Sequence, residues 1–262
     1  MPGRERRLLI LGGTAEAAAL AQAAVARFGD RLEVTTSLAG RTPEPKAVAG
    51  SLRVGGFGGE AGLAAFLREA QIDLLVDATH PFAATIARHA RLAAEATGTA
   101  RLVLLRPPWR PEPGDRWIEA ADMAAAAAML PRLGHSAFLA IGTRALGAFA
   151  SVRGVRFVVR LIAAPRAALP IAVSRLIIGR PPFTLDAERL LLQRYAVEAM
   201  VTKASGGIAA AKLAAAREAG LPVIMVARPP AEPGATVATP AEALAWIAAR
   251  LDRGAGTGEV SA

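Results

Sequence analysis

Short, uninterrupted apolar runs alternate with alanine-rich runs of helical length along nearly the whole chain, and this alternation most constrains the fold. Leu8–Leu11, Leu32–Thr36, Leu74–Ala78 and Arg101–Leu105 read as strands, with a shorter one over Ser51–Val54. Most are continuous rather than alternating, the pattern of a parallel sheet covered by helices on both faces. Ala15–Ala26, Ala61–Ala70 and Phe82–Thr97 read as covering helices. The alternation predicts an α/β, doubly wound sheet. The densest proline stretch, Arg106 to Gly114, interrupts the pattern and reads as a linker. The pattern then restarts, with strands near Trp117–Glu119, Ala137–Ile141, Phe157–Leu161, Ser174–Ile178, Ala199–Lys203 and Val223–Val226. Helices are expected over Ala121–Leu130, Asp186–Arg194, Ile208–Ala219 and Ala241–Leu251. The predicted organisation is two α/β domains, residues 1–108 and 109–262.

The chain has 262 residues and is 53% hydrophobic, enough for a sizeable core and incompatible with a disordered chain. Its formal net charge of +9 rests almost wholly on arginine, since only Lys46, Lys203 and Lys212 are lysines. Such an excess implies an anionic partner: nucleic acid, membrane, or a small ligand with phosphates or carboxylates. Aromatics are scarce at 5% and the basic residues are dispersed, which argues against nucleic acid. No run of about 18 uncharged apolar residues occurs, so no membrane span is expected. The basic start runs into a strand and a Gly12-Gly13 turn rather than a signal-like stretch, and the chain reads as cytoplasmic. With no cysteine, disulfides and thiolate metal sites are excluded, and His80, His89 and His135 are too scattered for a metal cluster.

Ligands of open α/β sheets bind beyond the carboxyl ends of the strands, so the turns there carry the functional expectations. After the first strand comes Gly12-Gly13-Thr14-Ala15-Glu16. Glycines let backbone approach a phosphate, and the following helix offers free N–H groups and a positive dipole end. Thr14 would either cap that helix or bond a phosphate oxygen. The second strand ends Ser37-Leu38-Ala39-Gly40-Arg41, with no acid after Glu33. A ribose-binding acid is therefore absent, and Arg41 suits a 2′-phosphate, which favours NADPH over NADH. The fourth strand ends Asp77-Ala78-Thr79-His80-Pro81. Pro81 is expected in the first helical turn, leaving Thr79 or His80 at the cap beside the ligand crevice. His80 would hydrogen-bond a ligand, move a proton, or serve only as a cap.

The second half has comparable turns. Gly142-Thr143-Arg144 follows one strand, and Lys203-Ala204-Ser205-Gly206-Gly207 follows another. Lys203, a lysine in an arginine-rich chain, could pair with a carboxylate or donate a proton. Arg180-Pro181-Pro182-Phe183-Thr184 is a further polar turn.

Read together, these segments resemble the precorrin-6A reductase family of cobalamin biosynthesis. The resemblance rests on Leu11-Gly12-Gly13-Thr14-Ala15-Glu16-Ala17, Ser37-Leu38-Ala39-Gly40-Arg41, Gly55-Gly56-Phe57-Gly58-Gly59 and Asp77-Ala78-Thr79-His80-Pro81-Phe82-Ala83. It continues through Arg106-Pro107-Pro108-Trp109, Gly179-Arg180-Pro181-Pro182-Phe183, Lys203-Ala204-Ser205-Gly206-Gly207 and Pro222-Val223-Ile224-Met225-Val226-Ala227-Arg228-Pro229. The resemblance implies two Rossmann-like domains with mainly parallel sheets, and NADPH and a tetrapyrrole meeting in a cleft between them. It implies hydride transfer to one ring double bond of precorrin-6A and protonation of the neighbouring carbon, giving precorrin-6B. Gly12, Gly13, Thr14, Ser37, Gly40 and Arg41 would hold cofactor, with Thr79 and His80 near its nicotinamide end. Lys203, Ser205, Gly206 and Arg180 would face the substrate, and Lys203, His80 and water stand as proton donors. The family often carries Asn or Asp where this chain has Ala204. A cobalt-containing substrate and a non-catalytic NADPH-sensing module are the alternatives, and the oligomeric state is open.

Overall fold

The structure is a computed structural model that describes residues 5–40, 48–207 and 210–255. In chain order its elements begin β1 (Arg6–Leu11), α1 (Ala15–Phe28), β2 (Leu32–Leu38), β3 (Ser51–Val54), α2 (Glu60–Glu69), β4 (Leu74–Asp77), α3 (Ala84–Thr97) and β5 (Ala100–Leu104). They continue with β6 (Arg116–Ala120), α4 (Met123–Met129), β7 (Ser136–Ala140), β8 (Arg156–Leu161), β9 (Arg175–Ile178), α5 (Leu185–Arg194), β10 (Ala199–Lys203), α6 (Ala211–Glu218) and β11 (Pro222–Val226). The last are β12 (Thr236–Val237) and α7 (Pro240–Ala255). None of the described helices is long and apolar enough to cross a membrane.

Two compact units result, one of Met1–Arg106 with Pro229–Ala262, the other of Pro107–Arg228. The first unit holds a six-stranded sheet in the order β12-β5-β4-β1-β2-β3, with every pairing parallel. β1 shows why its strands are apolar throughout. Leu8 and Ile10 pack with Leu20, Ala21 and Ala24 of α1 and with Ala243, Ile247 and Leu251 of α7. Leu9 and Leu11 face the other way, onto Leu63 and Leu67 of α2 and Ala90, Ala93 and Ala94 of α3. Period-two alternation thus delivers apolar side chains to two cores, and each buried leucine contributes roughly 1.5–3 kcal/mol.

The expected second domain, 109–262, is corrected at its end. From Pro229 the chain returns to the first unit, where Thr236 and Val237 pair with Val103 and Leu104 and α7 covers α1. The buried face of α7 supplies the reason, since it completes the core beneath β1, β4 and β5.

The second unit holds another six-stranded parallel sheet, ordered β6-β11-β10-β7-β8-β9. Counted from β7, this is the first sheet's order with its sixth strand, β6, placed first in sequence. Each sheet therefore receives its outermost strand from the segment following the other sheet's fifth strand. Those two segments echo each other: Arg106-Pro107-Pro108 before Glu112-Pro113-Gly114, and Arg228-Pro229-Pro230 before Glu232-Pro233-Gly234. The echo is structural too. Glu232 pairs with Arg91 of α3 at 2.6 Å, and Glu112 pairs with Arg217 of α6 at 2.9 Å, each helix preceding its sheet's fifth strand.

Local departures are small. α3 begins at Ala84 with Ala83 at its N-cap, so Pro81 lies in a turn before the helix rather than in its first turn. After β7, where the sequence reads as a turn, Thr143–Phe149 forms a 3-10 segment.

Candidate active site

The carboxyl edge of the first sheet carries Gly12, Gly13, Thr14, Ser37, Gly40, Thr79 and His80 around the point where strand order reverses between β1 and β4. Gly12 lies so close to β2 that a Cβ there would stand 2.9 Å from Thr36 Cγ2 and 3.2 Å from Leu38 Cδ2. Its N–H donates to the Ser37 carbonyl at 2.9 Å. Gly13 has φ +109°, a conformation that favours glycine, and nothing lies within 4 Å of its absent Cβ. Open backbone followed by the 14-residue α1 suits a phosphate. Thr14 is the N-cap: its Oγ1 accepts from Ala17 N–H at 3.1 Å and donates to the Ala78 carbonyl at 2.7 Å. Its hydroxyl proton is thereby spent on β4's exit, and the backbone N–H remains for a ligand. Gly40, at φ +69°, follows β2, whereas Arg41 lies outside the described residues.

Two groups at this edge were missed by sequence reasoning. Arg53 donates to the carbonyls of Gly55 at 2.8 Å and Gly56 at 2.9 Å, reaches Ser37 Oγ at 3.4 Å and stacks on Phe57 at 3.8 Å. It ties the glycine-rich loop after β3 to the end of β2. Arg106 pairs with Glu16 at 2.8 Å, both largely buried, offsetting an acid in the first turn of α1 where a phosphate would otherwise meet it. A lone arginine in a short strand carries no signal, but an acid directly after a glycine turn does call for a partner.

Asp77 and His80 organise the exit of β4. Asp77 is buried, and its Oδ1 accepts from Thr79 N–H at 3.1 Å and Thr79 Oγ1 at 2.7 Å. Burial pushes its carboxyl above the usual carboxylate range, against the lowering effect of the Thr79 hydrogen bonds and nearby Arg101. His80 Nδ1 accepts from Phe82 N–H at 3.1 Å, which leaves the neutral ring's proton on Nε2. Thr79 and His80 thus sit in a braced turn beside the glycines, with neither capping α3.

In the second unit Lys203 ends β10, half-buried, and the turn after it is held from several directions. Ser205 N–H donates to the Lys203 carbonyl at 2.6 Å, and Arg228 Nε donates to the Ala204 carbonyl at 2.6 Å. Trp109 Nε1 donates to the Gly207 carbonyl at 2.8 Å, with the Lys212 ammonium over its ring at 4.9 Å. Gly206 has φ +66° and is packed against the Pro107 carbonyl, leaving no room for a Cβ, so packing alone accounts for this glycine. Arg180 is exposed on the turn after β9. That turn is anchored by Phe183, on which Arg160 stacks at 3.9 Å while bonding both oxygens of buried Glu188 at 3.0 and 2.9 Å. No group of three or more metal-ligating side chains occurs among the described residues.

The glycine turn, the braced Thr-His turn and the second sheet's lysine turn suit a nucleotide and an anionic partner rather than a nucleophile or metal. The family model described as Precorrin-6x reductase CbiJ/CobK matches residues 7–248. The precorrin-6A reductase of Rhodococcus erythropolis is 46% identical over 243 residues, covering 92% of this chain and 97% of that one. A cobalt-precorrin-6A reductase of Priestia megaterium is 28% identical over 245 residues, covering 88% of this chain and 94% of that one. A solved structure titled CobK precorrin-6A reductase superposes with a TM-score of 0.88 at 40% identity, covering 93% of this chain and 96% of that chain. The chain therefore belongs to the precorrin-6x reductase family.

Proposed function

We propose that this protein is an NADPH-dependent reductase that converts precorrin-6A into precorrin-6B in cobalamin biosynthesis. The observation that carries the reading is similarity to a precorrin-6A reductase along 92% of the chain, with both carboxyl-edge turns in place. Bound NADPH would supply the hydride, so the protein's task is binding, orientation and proton delivery. Backbone N–H groups of Gly13, Thr14 and the first turn of α1 take the pyrophosphate, Ser37 and Gly40 flank the adenosine side, and Arg41 takes the 2′-phosphate. Thr79 and His80 sit towards the nicotinamide. Lys203 and His80 are the assigned proton-handling groups, Lys203 Nζ as an ammonium and His80 through Nε2–H. Lys203, Ser205 and Arg180 contact the tetrapyrrole. The greater similarity to the precorrin-6A enzyme than to the cobalt-precorrin enzyme favours a cobalt-free substrate. A cytoplasmic location belongs to the same reading.

The test is NADPH oxidation followed optically with precorrin-6A or its cobalt form supplied. Oxidation that depends on precorrin-6A is expected; none with either substrate would leave only a nucleotide-sensing module. Arg41→Ala should raise the KM for NADPH much more than that for NADH. Equal effects would remove the 2′-phosphate assignment.

A further inference from the structure

The second sheet carries a basic residue at the end of, or two to five residues beyond, each of five neighbouring strands. Arg228 follows β11, Lys203 ends β10, Arg144 follows β7, Arg166 follows β8 and Arg180 follows β9. No Asp or Glu occurs in 141–148, 162–174, 179–184 or 203–207, the segments leaving β7 to β10. The acid nearest this edge in sequence is Asp122, the N-cap of α4, beyond the outermost strand β6. Arg228 is turned onto the Ala204 carbonyl and braces the lysine turn. Arg144 and Arg166, by contrast, are exposed and have no ion pair among the described residues. Arg160, Arg189 and Arg217 of the same unit, in contrast, all hold carboxylates.

Adjacent strands lie about 4.8 Å apart, so cations from β10 to β9 are spread over roughly 14 Å. A row of spaced cations suits a flat ligand with carboxylates around its rim better than it suits one compact phosphate. We propose that Arg144 and Arg166 join Arg180 and Lys203 as anchors for the acetate and propionate arms of the macrocycle, making this edge a polycarboxylate cradle. The proposal rests on the reductase reading for its ligand and adds two binding residues to it. Guanidinium is matched to carboxylate by its planar fork, which explains arginine rather than lysine at the flanking positions.

The test compares Arg144→Gln and Arg166→Gln with Arg156→Gln, an equal charge loss at the amino end of β8. Two readouts are taken: the KM for precorrin-6A, and the Kd for uroporphyrin, an eight-carboxylate tetrapyrrole that needs no turnover. Each of the first two variants should raise both constants about five- to tenfold, leave the KM for NADPH unchanged and flatten the salt dependence of binding. Arg144→Lys and Arg166→Lys should recover part of the loss. Arg156→Gln should change neither constant. Effects at Arg144 and Arg166 no larger than at Arg156 would overturn the cradle. Weakened uroporphyrin binding in an enzyme that fails to turn over precorrin-6A would overturn the reductase reading and leave the cradle standing.

Discussion

Gly12 and Asp77 hold the carboxyl edge of the first sheet by opposite means, one by lacking atoms and the other by burying a carboxyl group. Gly12→Ala places a methyl 2.9 Å from Thr36 Cγ2, so the buried Thr36 side chain or its strand must give way. A stability loss of about 1–3 kcal/mol is expected in urea denaturation, with a KM for NADPH raised at least tenfold. Asp77 makes a prediction about pH. Its carboxyl is raised in the folded protein, so its contribution to stability is complete below the unfolded value of about 3.8. That contribution is lost as pH rises through the higher folded value. Asp77→Asn keeps an acceptor for Thr79 but carries no charge. The variant should therefore gain Tm relative to the parent as pH rises from 4 towards 8, and a constant difference would contradict burial as the cause. Thr14's cap was one of the two uses legible in the sequence, because Thr before a helix commonly caps it. His80's place was not, because Pro81 read as a helical first turn and the structure uses it in the turn that Asp77 braces.

At the scale of elements, the strand-and-helix alternation translated directly into two parallel sheets, because buried parallel strands must be apolar on both faces. What misled was β12, two residues long, with no apolar run to announce it. The repeated Arg-Pro-Pro and Glu-Pro-Gly segments were the available signal, and they mark both crossings between units. Ile247 of α7 is fully buried in the first unit's core. Ile247→Ala should cost about 2–5 kcal/mol and move with the transition of the first unit, followed by Trp246 fluorescence in urea. The lysine turn gives another prediction. Trp109→Phe keeps the ring and removes only the hydrogen bond to Gly207. It should lower kcat several-fold while leaving the Kd for NADPH unchanged, because the bond holds the turn that carries Lys203 rather than the cofactor edge. Unaltered kcat would show that the turn holds itself.

For the whole molecule, the +9 charge first pointed to any anionic partner. Many arginines prove to be internal struts, including Arg91 on Glu232, Arg106 on Glu16, Arg160 on Glu188 and Arg217 on Asp115. Such pairs neutralise themselves, so the field that steers a ligand comes from unpaired positions such as Arg144 and Arg166. Added salt should therefore raise the KM for the tetrapyrrole. The fold-level duplication gives two comparable carboxyl edges, but only the first follows its glycine turn with a long helix, as a pyrophosphate site requires. That difference supports the proposed division of labour, nucleotide on the first sheet and polycarboxylate on the second. The proposed reaction passes hydride from NADPH to the macrocycle. Turnover of precorrin-6A with NADPH dideuterated at the nicotinamide C4, followed by mass spectrometry of the product, tests this most directly. The product should carry one deuterium at a carbon of the reduced bond, whereas product without deuterium, or no product, would contradict the account.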